Sequence, residues 1–102
     1  MKRFSALGLP GAEMLDRGLR DAAAEVESVE ALLIAIAEPR LRREGVPVPR
    51  MELPDPEMRC YRLLEAEHGE LAHARYNALR HEVTSFADAC HLVRARGTEH
   101  AS

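Results

Sequence analysis

The sequence predicts an all-α fold: a helical bundle of two long helices, one with a candidate break, plus one or two short ones, joined by a Pro-rich linker. Three observations carry this. Two apolar seams recur at spacings of 4, 3, 4, 3, 4, 3, the period of a helix face. Trp is absent and the aromatics are only Phe4, Tyr61, Tyr76 and Phe86, so the core is aliphatic. A β-sandwich or barrel wants more β-branched and aromatic side chains. Four prolines are gathered in the twelve residues 45–56, and that stretch divides two helix-forming halves.

Residues 1–11 hold Gly8, Pro10 and Gly11 and predict an irregular arm. From Ala12 the chain is helix-forming up to Pro39, with Leu15, Leu19, Ala22, Val26, Val29, Leu33 and Ile36 on one seam. Ser28 is a candidate cap for a second helix at Val29. The seam keeps its phase through Ser28, which favours one helix over about 12–38. Leu32 and Ile34 widen the apolar face, so its far half is expected to be buried on more than one side. Pro39 suits the first turn of a short helix, and Gly45 suits its end, closing a first half at 12–44.

Residues 45–56 read as an extended, polyproline-like linker. Asp55-Pro56-Glu57 is a helix start, with Asp as cap, Pro at the first position and Glu in the first turn. That helix is expected to end at Gly69. The last helix is expected over about 70–95, with Ala72, Tyr76, Leu79, Val83, Phe86, Cys90 and Val93 on its seam. Ala74, Ala78, Ser85 and Ala89 form a small-residue stripe beside it, which predicts packing on two sides. The tail 96–102 is expected to fray. The 102 residues thus make one domain.

Charge and cysteine usage narrow the function. A formal net charge of -3 gives no whole-molecule field to draw nucleic acid or an anionic membrane. The longest apolar run, Ala31 to Ala37, falls far short of the ~20 residues a membrane span needs. Cys60 and Cys90, with no CxxC pair, fit reduced thiols and a cytoplasmic protein. Cys60, beside Tyr61, reads as partly exposed. The 13 Arg against one Lys point to a GC-rich, bacterial coding bias.

Candidate chemistry is sparse. Glu70-x-x-His73 matches half of a di-iron carboxylate motif, and Asp88-x-x-His91 echoes it. His73, Arg80, Thr84 and His91 lie opposite the final seam, where a solvated face belongs, so no metal and no cofactor is expected. Arg40, Arg42, Arg43 and Arg50 form a basic cluster able to touch phosphates. Glu38 and Glu44 among them favour local ion pairs, and no aromatic is interleaved for base stacking. Arg75 to His81 fits an Arg-x(4–6)-His pattern, as do Arg62 to His68 and Arg94 to His100. In this the chain resembles the HEPN helical ribonucleases. The resemblance implies a bundle in which Arg75 and His81, completed by a dimer mate, act on RNA. Tyr76 departs from the polar residue usual after that Arg.

The favoured reading is a non-catalytic interaction or regulatory protein that binds a partner protein or a second copy of itself. An accessory subunit, an antitoxin-like partner and a small inhibitor all fit it. Its expected interface is Leu15, Leu19, Val26, Val29, Leu33, Ile36, Tyr76, Leu79, Val83 and Phe86. A helix over 12–38 would be ~40 Å long, against a diameter of ~34 Å for a compact chain of this size. That excess length points to a second chain completing the seams. A HEPN-like ribonuclease and a nucleic-acid binder on the Arg40–Arg50 cluster are the alternatives.

Overall fold

A computed structural model describes residues 8–51 and 53–101, with side chains through Ala95. Its helices are α1 (Ala12–Ala23), α2 (Val29–Ile36), α3 (Glu38–Arg43), α4 (Pro56–His68) and α5 (Ala72–Ala101), with a 3-10 turn at Gly69–Leu71 between the last two. No strand occurs among the described residues, and the fold is an all-α bundle. Of the expected irregular arm, residues 1–7 lie outside the described residues, and Gly8 to Gly11 form a turn.

The single helix expected over 12–38 is two helices. The Glu25 amide donates to the Ala22 carbonyl at 3.1 Å and the Val26 amide to that of Asp21 at 2.8 Å. These two bonds close α1 as a Schellman motif, with Glu25 in the left-handed position at φ 59°. Ser28 then starts α2, its Oγ accepting from the Ala31 amide at 3.1 Å and donating to Asp21 Oδ2 at 2.7 Å. The cap and the turn bonds prevail over a seam whose phase both arrangements satisfy.

The five-residue connection folds α2 back antiparallel on α1, so that Asp21 meets Ser28 and Gly18 meets Glu30 and Ile34. A Cβ on Gly18 would lie 2.7 Å from the Glu30 carbonyl oxygen, so glycine is what lets the two backbones approach. Ala31, Leu32, Leu33 and Ile34 are all buried. Four consecutive buried residues cover the whole circumference of a helix, and α2 accordingly packs against α1, α4 and α5. It is the centre of the bundle, as Leu32 and Ile34 led one to expect.

Pro39 lies in the first turn of α3, and Gly45 ends it at φ 84°. The Gly45 amide donates to Arg42 and the Val46 amide to Leu41, a second Schellman motif. Leu41 and Val46, the apolar pair that accompanies this motif, are both buried. The following segment is extended, as its prolines demand, but it is more than a linker. Val46 and Val48 enter the core, while Pro47 faces outward. Arg42 Nη2 fastens the segment by donating to the Val48 carbonyl at 2.9 Å.

Helix α4 begins at Pro56, after Asp55 in the left-handed region at φ 46°. The Asp55 side chain makes no cap bond; its carbonyl accepts from the Arg59 amide at 3.1 Å. Cys60 and Leu64 form the buried face, so Cys60 is wholly enclosed, contrary to the partial exposure expected. Helix α5 buries Ala72, Leu79, Val83, Phe86, Ala87 and Cys90. Beyond Cys90, Leu92 and Val93 are exposed, while His91 and Arg94 on either side of them still meet Glu44 and Arg43 at the end of α3. Helix α5 continues through Gly97 to Ala101 where fraying was expected. A helical glycine costs about 1 kcal/mol but still donates its amide bond. At 30 residues α5 is about 45 Å long, close to the long dimension of the 50 × 26 × 22 Å molecule.

The small-residue stripe of α5 is used only in part. Ala74 and Ala78 are exposed, while Ser85 and Ala89 are half-buried. Between these pairs the turn before α1 crosses closely: a Cβ on Gly11 would fall 2.6 Å from the Glu82 carbonyl oxygen.

Candidate functional site

Three places on this frame carry polar or accessible groups in concentration. The first is the Arg75–His81 pair. Both residues are exposed on α5. Six residues at 100° each set them about 120° apart around the helix and about 9 Å along it. Within one chain they converge on no common point.

The second place is the arginine cluster, in which Arg40 and Arg42 fold into ion pairs. Arg42 Nε donates to Glu38 Oε1 at 2.8 Å and Arg40 Nη2 to Asp88 Oδ1 at 2.9 Å. The Asp88 contact raises the Arg40 pKa further. Glu44 is the buried centre of this region. Its carboxylate lies 3.2 Å from His91 Nδ1, 3.5 Å from Arg40 Nη2 and 3.8 Å from Arg94 Nη1. Arg94 also donates to the Arg43 carbonyl at 2.7 Å. A carboxylate taken out of water is costly unless cations and donors surround it. Here Arg40, His91 and Arg94 stand around it, although its Oε2 makes no hydrogen bond, and the arrangement ties α3 to α5. Arg50 lies apart, beside Met51 in the extended segment. The four arginines therefore form no continuous basic patch.

The candidate metal residues likewise find other partners. His73 Nε2 lies 3.3 Å from Asn77 Nδ2, whereas Asp88 and His91 meet Arg40 and Glu44. Among the described residues no three carboxylate, histidine or cysteine groups are placed to share a metal ion.

The third place is an apolar groove of about 710 Å³ where the α2–α3 junction, the start of α4 and the first turns of α5 meet. Ala35, Ile36 and Pro39 form one wall, and Met58, Tyr61 and Tyr76 the other. The local reasons are plain. Pro39 fixes the bend between α2 and α3, and Pro56 starts α4 so that Met58 and Tyr61, one turn apart, share a face. Tyr61 and Tyr76 meet edge to face with ring centres 5.9 Å apart. The Arg80 guanidinium stands 5.7 Å from the centre of the Tyr76 ring, and its Nη1 donates to the Tyr76 hydroxyl at 3.4 Å. Met58 is 57% exposed at the mouth. Glu38, Asp55 and Glu57 form the rim.

The expected interface residues divide accordingly. Leu15, Leu19, Leu33, Leu79, Val83 and Phe86 lie in the chain's own core, and Val29 packs against it. Val26 is 50% exposed, because α1 ends before it. Ile36 and Tyr76 alone of the set line the groove. Met58, Tyr61 and Pro39 carried no periodic signal in the sequence, since the groove exists only once three segments converge.

Burial raises both thiols. Cys60 is pushed up to about 11, mainly by desolvation and then by Glu30. Cys90 is raised by the same desolvation and by Glu44. Both are free and buried, unlike an activated nucleophile. No helix among the described residues is long and apolar enough to cross a membrane. No family model, curated protein or solved structure matches the chain.

Proposed function

We propose that this protein works by binding a partner protein, with no chemistry of its own, and that the Ile36–Met58–Tyr61–Tyr76 groove is where the partner docks. The observation that carries this is the accessible aromatic and methionine surface of the groove. Tyrosine supplies large contact area at little entropic cost and is enriched among the residues that dominate binding energy. Methionine adapts its shape to what it meets. A regulatory or accessory role in a bacterial cytoplasm fits this reading, supported by the two unpaired thiols and the arginine-rich coding bias. A second copy of the chain is the other candidate occupant of an apolar surface, favoured by Leu92 and Val93, exposed on α5.

Quantitative affinity purification from the native host tests the proposal. Wild type and His81→Ala are expected to retain the same protein, and Met58→Asp to lose it. Cleavage of total RNA by the purified protein, lost in both Arg75→Ala and His81→Ala, would overturn the proposal in favour of a nuclease.

A further inference from the structure

The rim of the groove specifies the charge of what enters it. Its lining residues include three carboxylates, Glu38, Asp55 and Glu57, and no basic side chain. Glu38 is offset by Arg42 at 2.8 Å. Asp55 makes no cap bond with its side chain, and Asp55 and Glu57 are both exposed. The amino end of α4 beside them contributes about half a positive charge. Two full negative charges against that fraction leave this end of the groove acidic. Arg80 stands over the Tyr76 ring and does not line the groove.

From this juxtaposition we infer that the groove takes a basic amphipathic segment of a partner protein, with apolar side chains between Met58, Tyr61 and Ile36 and lysine or arginine beside Asp55 and Glu57. An amphipathic segment laid in an apolar groove is a common mode of recognition, and complementary charge at its edge selects the partner and its direction. Basic residues therefore belong where the segment crosses the start of α4.

The inference rests on the docking reading, and one experiment separates the two. A phage-displayed library of random segments is selected on the intact protein, with the Met58→Asp protein used to remove clones that bind elsewhere. The expected clones combine Leu, Met or Phe with lysine or arginine clustered toward one end. A synthetic peptide of the leading clone is then titrated against Asp55→Asn/Glu57→Gln. That variant removes both charges and breaks no cap bond, since the Asp55 side chain makes none, and circular dichroism checks that it remains helical. A loss of roughly fivefold to tenfold in affinity is expected, the size of two exposed charge pairs. Groove-dependent clones that are neutral or acidic, or a peptide indifferent to the double variant, would overturn the basic segment and leave the docking reading standing. A selection yielding no clone sensitive to Met58→Asp would overturn both.

Discussion

Glu25 shows how one side chain decides a local outcome against the pattern around it. A residue with a Cβ in the left-handed region costs roughly 1–2 kcal/mol, and glycine is the usual occupant of this position in a Schellman motif. Glu25 stands there at φ 59°. Glu25→Gly is therefore expected to stabilise the protein by about 1 kcal/mol in urea denaturation; a loss of stability would mean that α1 does not end there. The same residue explains why the break was hard to read. Glycine at 25 would have marked it, whereas glutamate is a good helix former. Only Ser28 signalled the second helix.

Cys60 makes a pH-dependent prediction. Its thiol is raised from 9.0 to about 11 by burial, so the fold holds it neutral. A group raised on folding contributes stability that is complete below its unfolded pKa and is lost as pH rises through its folded one. Unfolding free energy should accordingly decline between pH about 9 and 11, and Cys60→Ala should flatten that decline. An equally steep decline in both proteins would assign it to other groups.

At the scale of elements, the extended segment is where sequence and structure part most instructively. Its prolines predicted extended chain, and the chain is extended. The Val46–Pro47–Val48 alternation also marked one face as apolar, a two-residue period that places alternate side chains inward. Val48 is 6% exposed within the core. Val48→Ala should cost roughly 1–2 kcal/mol for the methyl groups it removes, against within about 0.5 kcal/mol for a solvated linker. Thermal or urea unfolding reads the difference directly. Helix α5 was legible for the same kind of reason: the seam at Leu79, Val83, Phe86 and Cys90 faces α2 and α4. The seam's last member, Val93, is exposed, while the next residue, Arg94, reaches the Arg43 carbonyl. A periodic pattern states which face is apolar and carries no information on where the partner helix stops.

For the whole molecule, the length argument for a second chain has changed its footing. It rested on a helix of ~40 Å over 12–38, and the turn at 24–28 folds that length in half. The two seams now cover one another within one chain. Light scattering of the purified protein at micromolar concentration is expected to give 11.4 kDa, the mass of a monomer. A mass near twice that value would point to a second copy seated on Leu92 and Val93. The groove itself was half visible in the sequence, through Ile36 and Tyr76. Their neighbours across it come from segments far apart in the chain, which is why spacing along the sequence could not bring Pro39, Met58 and Tyr61 together with them.

The docking claim is tested most directly by placing a photo-crosslinking amino acid at Met58, in the groove, and separately at Arg20, which is exposed on α1 away from it. Both forms are produced in the native host and irradiated in the living cell. The account predicts one discrete heavier adduct from position 58, containing a second protein with basic residues near the crosslinked site, and none of that mass from position 20. Equal adducts from both positions, or none from position 58, would contradict it.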